Sequence, residues 1–512
     1  DQLDYLFAAL KKHGIYMTTD LFVSRPVYLK ELWPEEAASD MVRNDYRMDI
    51  LVNEQAFANY AAFATNLLTH VNPYTKMRWA DDPALAWISL INEGNEGNFI
   101  GNLSTPRVKA DWAAAWNKWL AARYSSRDLL IQAVGTLPAE QDQTKGTMPL
   151  PRQIDSSPLG SLFSCFMSET DSRFCARMRT LLRDQLHCSA LITNLNGWTN
   201  PVQTQSTRQQ FDYVDDHFYI DHPQFLEKSW QLPSRCPNLS PIQAGAPGGR
   251  GSAFIRLLDK PFTISEFNYS APGQYRGVGG LLVSSLGAAQ DWSVLWRFAY
   301  SHSRKAEVSL VPMDYFNLAS DPLNQASDRA SILLFRRGDL RPLPHTVGIV
   351  MTKNELLQQG ATTHNVSPAW NALALVTRVG TQVVDDPAKS TINADVALPL
   401  SGKAPDTATP SKWLNVNPYA TDATEKVMAE VRKRGWITAA NTSNISGTYL
   451  QSETGEMTIN GPANIFTLDT PRTVGGFAPV GGKIVTKAAT IAIQGTAATV
   501  CISSLSDTPI AS

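Results

Sequence analysis

Cysteine is scarce in this chain. Among 512 residues there are five, Cys165, Cys175, Cys188, Cys236 and Cys501. None forms a CxxC pair or stands at ligand-like spacing from a histidine, which argues against a structural zinc site. Buried free thiols are the plain reading; one or two disulfides stay open if the protein is exported, and the odd count then leaves a thiol over. No apolar run approaches the roughly 18 residues that a membrane span needs. An excess of one charge is missing too. With 45 Lys+Arg against 47 Asp+Glu and a formal net charge of -2, no basic stripe exists to neutralise phosphates, and nucleic acid is not an expected partner. There is no solenoid repeat and no low-complexity tract. The glycine run GAPGGRG (residues 245–251) is not a phosphate loop, since no strand leads into it and no GK[ST] follows. No secretory leader opens the chain either, because Asp1 to Asp4 run directly into a helical pattern of Leu3, Leu6, Phe7 and Leu10. Processing of a longer precursor would leave the same start.

What the chain has is apolar mass. Hydrophobic residues make up 43% of it and charged residues 18%, enough to build large cores. Single cores stop growing near roughly 250 to 300 residues, so two or three domains are expected. From residue 1 to about 320, short apolar runs alternate with amphipathic stretches, the pattern of βα units around a parallel sheet. Six strands are predicted there: Tyr16 to Phe22, Leu85 to Asn92, Ala190 to Leu195, Tyr213 to Tyr219, Phe262 to Phe267 and Ser293 to Ala299. Helices are predicted over 3–13, 54–70, 106–123, 172–187 and 277–290. Residues 321–344 read as a helix and linker. From 345 to 512 the texture turns to short Val-, Ile- and Thr-rich runs broken by Gly, Pro, Asn and Asp, which predicts an all-β, sandwich-like domain with one helix over 423–434.

Two strand ends carry a carboxylate that strand periodicity does not explain: Glu93, after ISLIN, and Glu266, after FTIS. An ionised carboxylate is costly near an apolar core unless it is paired or used. In a parallel α/β barrel the strand C-termini gather on one face, where catalytic groups from several strands meet. Two glutamates so placed suit glycoside cleavage, one as proton donor and the other as nucleophile, at roughly 5 to 5.5 Å if configuration is retained. Other strand ends supply partners. His217 and Tyr219, two residues apart in YVDDHFY, share one side of a strand and can orient a carboxylate. Trp296 offers an amphipathic ring for a sugar face, and Asn196, Trp198 and Asp20 close other strands.

The succession WISLINEGN, YVDDHFYIDHP, PFTISEFN and DWSVLWRFAYSH resembles strands 4, 6, 7 and 8 of clan A glycoside hydrolases, the retaining TIM (β/α)8-barrel enzymes that include the cellulase-like family 5 and the family 42 β-galactosidases. The resemblance spans residues 1–320 and makes Glu93 the acid/base and Glu266 the nucleophile. It also makes Asn92 the contact to the sugar 2-hydroxyl, His217 and Tyr219 the pair beside the nucleophile, and Trp296 the strand 8 platform. It implies a carbohydrate substrate and neither a metal nor an organic cofactor. Two departures stand out. Family 5 members usually read Asn-Glu-Pro, whereas Gly94 stands in the proline's place, on a looser loop where Glu96 competes for substrate contact. Strands 1 and 2 have no counterpart, and with them goes the clan's strand 2 arginine, so a further segment or companion chain is expected to complete the barrel.

The expected function is therefore a retaining β-glycosidase acting on β-linked oligo- or polysaccharides by double displacement. The alternatives are a catalytically inactive carbohydrate-binding protein on the same scaffold and a transglycosylase. The substrate class points to a secreted or periplasmic protein. Other readings attach to single residues: Asp20 as a loop cap, Glu96 as a loop residue, Trp296, His217 and Tyr219 as core, and Asn196 and Trp198 as structural groups. The Pro-rich stretch 138–164 exceeds an ordinary connection and reads either as a lid or as an idle excursion.

Overall fold

A computed structural model describes residues 1–36, 39–94, 99–155, 157–197, 204–245, 252–358, 369–406 and 412–510. The chain forms two compact units. The first is Asp1–Val214 with the short helix Lys353–Gln358; the second is Asp215–Thr352 with the chain from residue 369 onward.

In the first unit three strands, β1 (Met17–Asp20), β2 (Leu85–Ser89) and β3 (Leu191–Thr193), form a parallel sheet in the order β1-β2-β3. Trp87 is the hinge of the register, paired with Thr18 on one side and Leu191 on the other. Helices cover the sheet for reasons readable in their own sequences. Helix Glu54–Thr69 starts where the Asn53 side chain accepts hydrogen bonds from the N–H groups of Gln55 and Ala56. It buries Ala56, Tyr60, Ala64 and Leu68, a stripe at i, i+4 spacing. Helix Pro106–Arg123 opens on proline at its first position and buries Trp112, Trp116 and Trp119, with the last two stacked at 5.6 Å. These rings belong to one core that also takes in Phe7, Trp79 and Phe163.

Two sequence expectations shift here. The helix predicted over 172–187 begins earlier, at Pro158, because Ser157 caps it by accepting from Gly160 N at 2.9 Å, and it runs to Arg179 before a π-helical turn over Thr180–Gln185. The stretch 138–164 is tied down over its first part. Arg127 donates to the carbonyls of Leu137, Pro138 and Gln141, and Asn117 exchanges two hydrogen bonds with the Met148 backbone at 2.9 Å each. That part is a strap over two helices.

The second unit opens with a parallel sheet of β4 (Val214–Ile220), β7 (Phe262–Tyr269) and β8 (Val294–Arg297), in the order β4-β7-β8. Between β4 and β7 a small antiparallel hairpin pairs β5 (Gln224–Phe225) with β6 (Ser234–Arg235). Helix Gly279–Ala289 is buried on every side, as its uniformly apolar and small sequence requires. It meets helix Pro322–Ser331 so closely that a Cβ on Gly280 would sit 2.0 Å from the Ser327 carbonyl oxygen. All six strands predicted up to residue 320 are present, most of them shorter than expected.

The all-β expectation after residue 345 is met only in part. Strands β9 (Thr346–Thr352), β10 (Arg378–Val384) and β11 (Val396–Pro399) are parallel, in the order β10-β9-β11, with helices Ala369–Leu373 and Ala423–Lys433 in the same stretch. Nearly every residue of these three strands is buried, the mark of a sheet covered on both faces. The antiparallel part comes later: β12 (Tyr449–Gln451), β13 (Met457–Asn460), β14 (Ile465–Asp469), β15 (Thr473–Ala478) and β18 (Ala498–Ser503) form one sheet, and β16 (Lys483–Val485) and β17 (Thr490–Ala492) a hairpin. Burial alternates along β13 and β14. All five cysteines are free, and no helix among the described residues is long and apolar enough to cross a membrane.

One buried carboxyl in the first unit makes stability depend on pH. Burial, with the Asp111 carboxylate beside it, pushes Asp49 up from an ordinary 3.8 to about 8. The folded chain thus holds a proton that the unfolded chain releases at lower pH. The contribution of this group is complete below about 4 and is lost as pH rises toward about 8. Asp49→Asn keeps the shape and removes the titration, so its gain in Tm over the parent should grow from pH 5 to pH 8. An equal gain at both pH values, in thermal melts, contradicts this account.

Candidate active site

The first unit carries Glu93 just beyond the end of β2. The strand hydrogen bonding does not stop cleanly at Ser89: Leu90 N donates to Thr193 O at 3.0 Å and Asn92 N to Phe22 O at 2.9 Å. The apolar run is thereby held to both neighbouring segments until the tip. Tyr60, from helix Glu54–Thr69, adds a hydrogen bond to the Leu90 carbonyl at 2.6 Å. At Glu93 the backbone turns left-handed, with φ +50, a conformation a non-glycine residue adopts only where its surroundings impose it.

Two residues after β3 impose it. Asn196, 1% exposed, accepts the Glu93 N–H on Oδ1 at 2.9 Å, and its Nδ2 lies 3.4 Å from Ser89 Oγ. Asn194 does the same for the Ile91 N–H at 3.2 Å. Gly197 then lies flat against the glutamate: a Cβ there would come within 2.6 Å of Glu93 Cγ and 2.7 Å of its Cβ. Asn196, expected as a sugar contact, thus hydrogen-bonds the Glu93 backbone. Asn92 differs, since its Oδ1 is buried without a hydrogen-bond partner among the described residues.

Arg47 is the residue sequence reasoning passed over. It lies in the short, highly charged helix Arg43–Asp49, where nothing in the local pattern distinguishes it. Its side chain is buried, with Nη2 donating to the Val23 carbonyl at 3.0 Å. Burial, with Arg43 adding repulsion, lowers its pKa to about 10, while Glu93 and Asp20 oppose that shift. A guanidinium therefore acts electrostatically on Glu93 and on Asp20, the last residue of β1. Glu96 and Trp198 lie outside the described residues.

The second unit carries Glu266 in β7, and its neighbours form a chain of contacts. Tyr219 Oη donates to Glu266 Oε2, and His217 Nδ1 stands 3.6 Å from the same oxygen. On the other side of the imidazole, His217 Nε2 is 2.8 Å from Ser265 Oγ. Ser265 in turn gives its hydroxyl proton to Asp215 Oδ2, whose partner oxygen accepts from Ser265 N at 3.0 Å and from Thr263 Oγ1 at 2.5 Å. Since the serine proton goes to Asp215, His217 must donate from Nε2 to the serine oxygen. Its Nδ1 then meets the Glu266 carboxylate favourably when a proton lies between them. Asp215, His217 and Tyr219 alternate along β4 and therefore share one side of it. The pairing of His217 and Tyr219 with Glu266 was legible in the sequence; the part of Asp215 and Ser265 was not.

Asn268 ties the end of β7 to its neighbours by donating to the carbonyls of Phe298 and Phe316 at 2.6 and 3.0 Å. Trp296 lies on β8, half-buried, beside a cavity of about 840 Å³ that Trp292, Leu295, Ile332 and Phe335 also line. The ring from this segment that meets Tyr219 is Phe298, edge-on at 6.3 Å.

Solved structures with a similar fold include β-galactosidases. One, from Rahnella sp. R3, matches over 78% of this chain and 59% of its own at 14% identity and a TM-score of 0.50. A polyextremophilic one from the Antarctic haloarchaeon Halorubrum lacusprofundi matches over 78% and 61% at 16% identity and 0.50. A catalytic mutant of a GH42 β-galactosidase from G. stearothermophilus matches over 78% and 59% at 14% and 0.50. The chain therefore spans about three fifths of the length of these structures. At such identities the likeness is one of fold, and it agrees with the clan resemblance read from the strand motifs. No protein-family model and no curated protein matches the chain.

The contact between Gly197 and Glu93 yields a direct check. Gly197→Ala overpacks the tip and should cost about 1–3 kcal/mol in urea denaturation, with the Glu93 side chain displaced in a crystal structure of the variant. An unchanged midpoint together with an unmoved glutamate contradicts the contact.

Proposed function

We propose that the chain is a retaining β-glycosidase, its barrel drawn from residues 1–320, with Glu266 as nucleophile and Glu93 as acid/base. The observation that carries this reading is the setting of Glu266: a carboxylate in a parallel strand, its side chain 18% exposed, oriented by the Tyr219 hydroxyl and backed by His217. A carboxylate so restrained loses little further freedom when it attacks an anomeric carbon. The likeness in fold to β-galactosidases supports the same class and makes β-galactosides the first substrates to try.

In the first step Glu266 forms a bond to the anomeric carbon while Glu93 gives its proton to the departing glycosidic oxygen. In the second, Glu93 takes a proton from water, which displaces Glu266 from the sugar. Retention requires the two carboxyls to stand roughly 5 to 5.5 Å apart. Tyr219, donating to Glu266, favours its ionised form as nucleophile. The left-handed turn and the Gly197 contact restrict Glu93 to few positions, which suits a group that must meet one oxygen. The unpartnered Oδ1 of Asn92 is an acceptor for a sugar hydroxyl. Arg47 supplies positive charge at the same tip.

Glu266→Ala should lose about 10⁴-fold or more in turnover of aryl β-glycosides, and added azide should restore reaction with inverted product. Full activity in that variant ends the proposal, and failure of a fluorosugar to label Glu266 favours a carbohydrate-binding protein. Glu93→Ala should lose about 10²- to 10⁴-fold on substrates with poor leaving groups and far less on activated ones. Equal losses on both would remove Glu93 from the acid role.

A further inference from the structure

A set of aromatic rings leads away from Glu266 within the second unit, and the catalytic reading does not use it. Tyr219, which holds Glu266, stands 6.0 Å from the ring of His222, and His222 stands 5.8 Å from Trp230. Trp230 belongs to the loop of the β5–β6 hairpin and is 56% exposed. Its placement is built. The backbone at Trp230 is left-handed, φ +60, and the Tyr315 hydroxyl donates to its carbonyl at 3.2 Å. Phe225, from β5, and Tyr315 support the indole at 5.1 and 6.1 Å with ring planes tilted at 48° and 55°. Beneath them Phe316 packs on Tyr315 at 5.3 Å and on Tyr219 at 4.8 Å. His302 extends the row past Tyr315 at 6.3 Å.

Half-buried rings thus hold one ring that is more than half open, in an order that continues from the nucleophile's own hydrogen-bond donor. A tryptophan facing water gains nothing for folding, and forcing a non-glycine residue left-handed to present it is a cost. The exposed members of the row are a tryptophan and two imidazoles, flat faces with hydrogen-bonding edges, while Gln224 and Arg235 line the hairpin base with polar groups 3.1 Å apart. Flat apolar faces rimmed by donors and acceptors match a pyranose, whose faces carry C–H groups and whose edge carries hydroxyls. Trp230 is two ring steps from Tyr219, too far for the sugar that Glu266 attacks and within reach of a neighbouring unit of the same chain.

We propose that the platform of His222, Trp230 and Tyr315 is a binding subsite for a further sugar ring of a β-linked oligosaccharide, so that the chain acts on oligosaccharides in preference to single glycosides. The inference rests on the glycosidase reading. Binding energy gathered here, away from the reacting bond, can be used to hold the scissile bond at Glu266.

The test compares kcat/KM for galacto-, gluco- and manno-oligosaccharides of increasing length with that for the matching aryl β-monoglycosides. In Trp230→Ala the preference for the longer substrates should fall by about tenfold, and Trp230→Phe should keep most of it. A preference unchanged in Trp230→Ala overturns the subsite. A change in sedimentation mass with the preference intact identifies the surface as a protein contact and likewise overturns it. Calorimetric binding of the same oligosaccharides to the Glu266→Gln chain, with and without Trp230, separates this inference from the reading beneath it. Trp230-dependent binding there, with no hydrolysis by the unsubstituted chain, keeps the subsite and ends the hydrolase; hydrolysis by the unsubstituted chain with Trp230-independent binding does the reverse.

Discussion

A carboxylate withdrawn from water has to be held by directional contacts, and the Glu266 end of the second unit is arranged around that requirement. Each member of the chain Asp215, Ser265, His217 and Glu266 fixes the next. Asp215 takes the serine proton, so the serine can only accept from the imidazole, which in turn faces the glutamate with its other nitrogen. Tyr219 closes the set from the outer side. Removing one partner from such a network leaves the others buried without a mate, which is why a chain of this kind is kept whole or not at all. The parallel strands β4 and β7 exist at this point to bring five polar side chains from two distant segments into line.

At Glu93 the first unit meets the same problem by different means. The glutamate is held through its backbone: the left-handed turn is secured by Asn196, and the space beside it is shaped by the absence of a side chain at Gly197. Asn194, Asn196 and Gly197 come from one short stretch after β3, so a single segment sets the direction of the strand tip. The charge of Arg47 reaches the same place from a helix some fifty residues earlier in the chain.

Legibility followed periodicity. The i, i+4 stripe of helix Glu54–Thr69 and the proline start of helix Pro106–Arg123 are local signals, and both helices are where the sequence puts them. The stretch after residue 345 reads in sequence as an all-β, sandwich-like domain with one helix, whereas its first strands are buried along nearly their whole length and β13 and β14 alternate in burial. The former are the covered parallel strands β9 to β11 and the latter the half-exposed antiparallel ones. Among the site residues, His217 and Tyr219 were legible because spacing by two fixes a common side. Asn196 was found for its position after a strand, yet its contact is with protein backbone, since nothing in a sequence says which partner an amide meets.

By itself the sequence determined the alternation of strands and helices up to residue 320, the glutamate just past the end of β2, and the side of β4 that His217 and Tyr219 share; it set Glu266 at a strand end as well, whereas β7 runs on to Tyr269. Those features follow from periods of 2 and 3.6, which any short window contains. Tertiary structure alone decided the left-handed turn at Glu93, the fit of Gly197 against it, the reach of Arg47, the relay through Ser265 to Asp215, and the row of rings from Tyr219 to Trp230. Each of these depends on through-space distances between side chains. Such distances are set by how helices and strands pack, and packing joins residues that no local pattern connects.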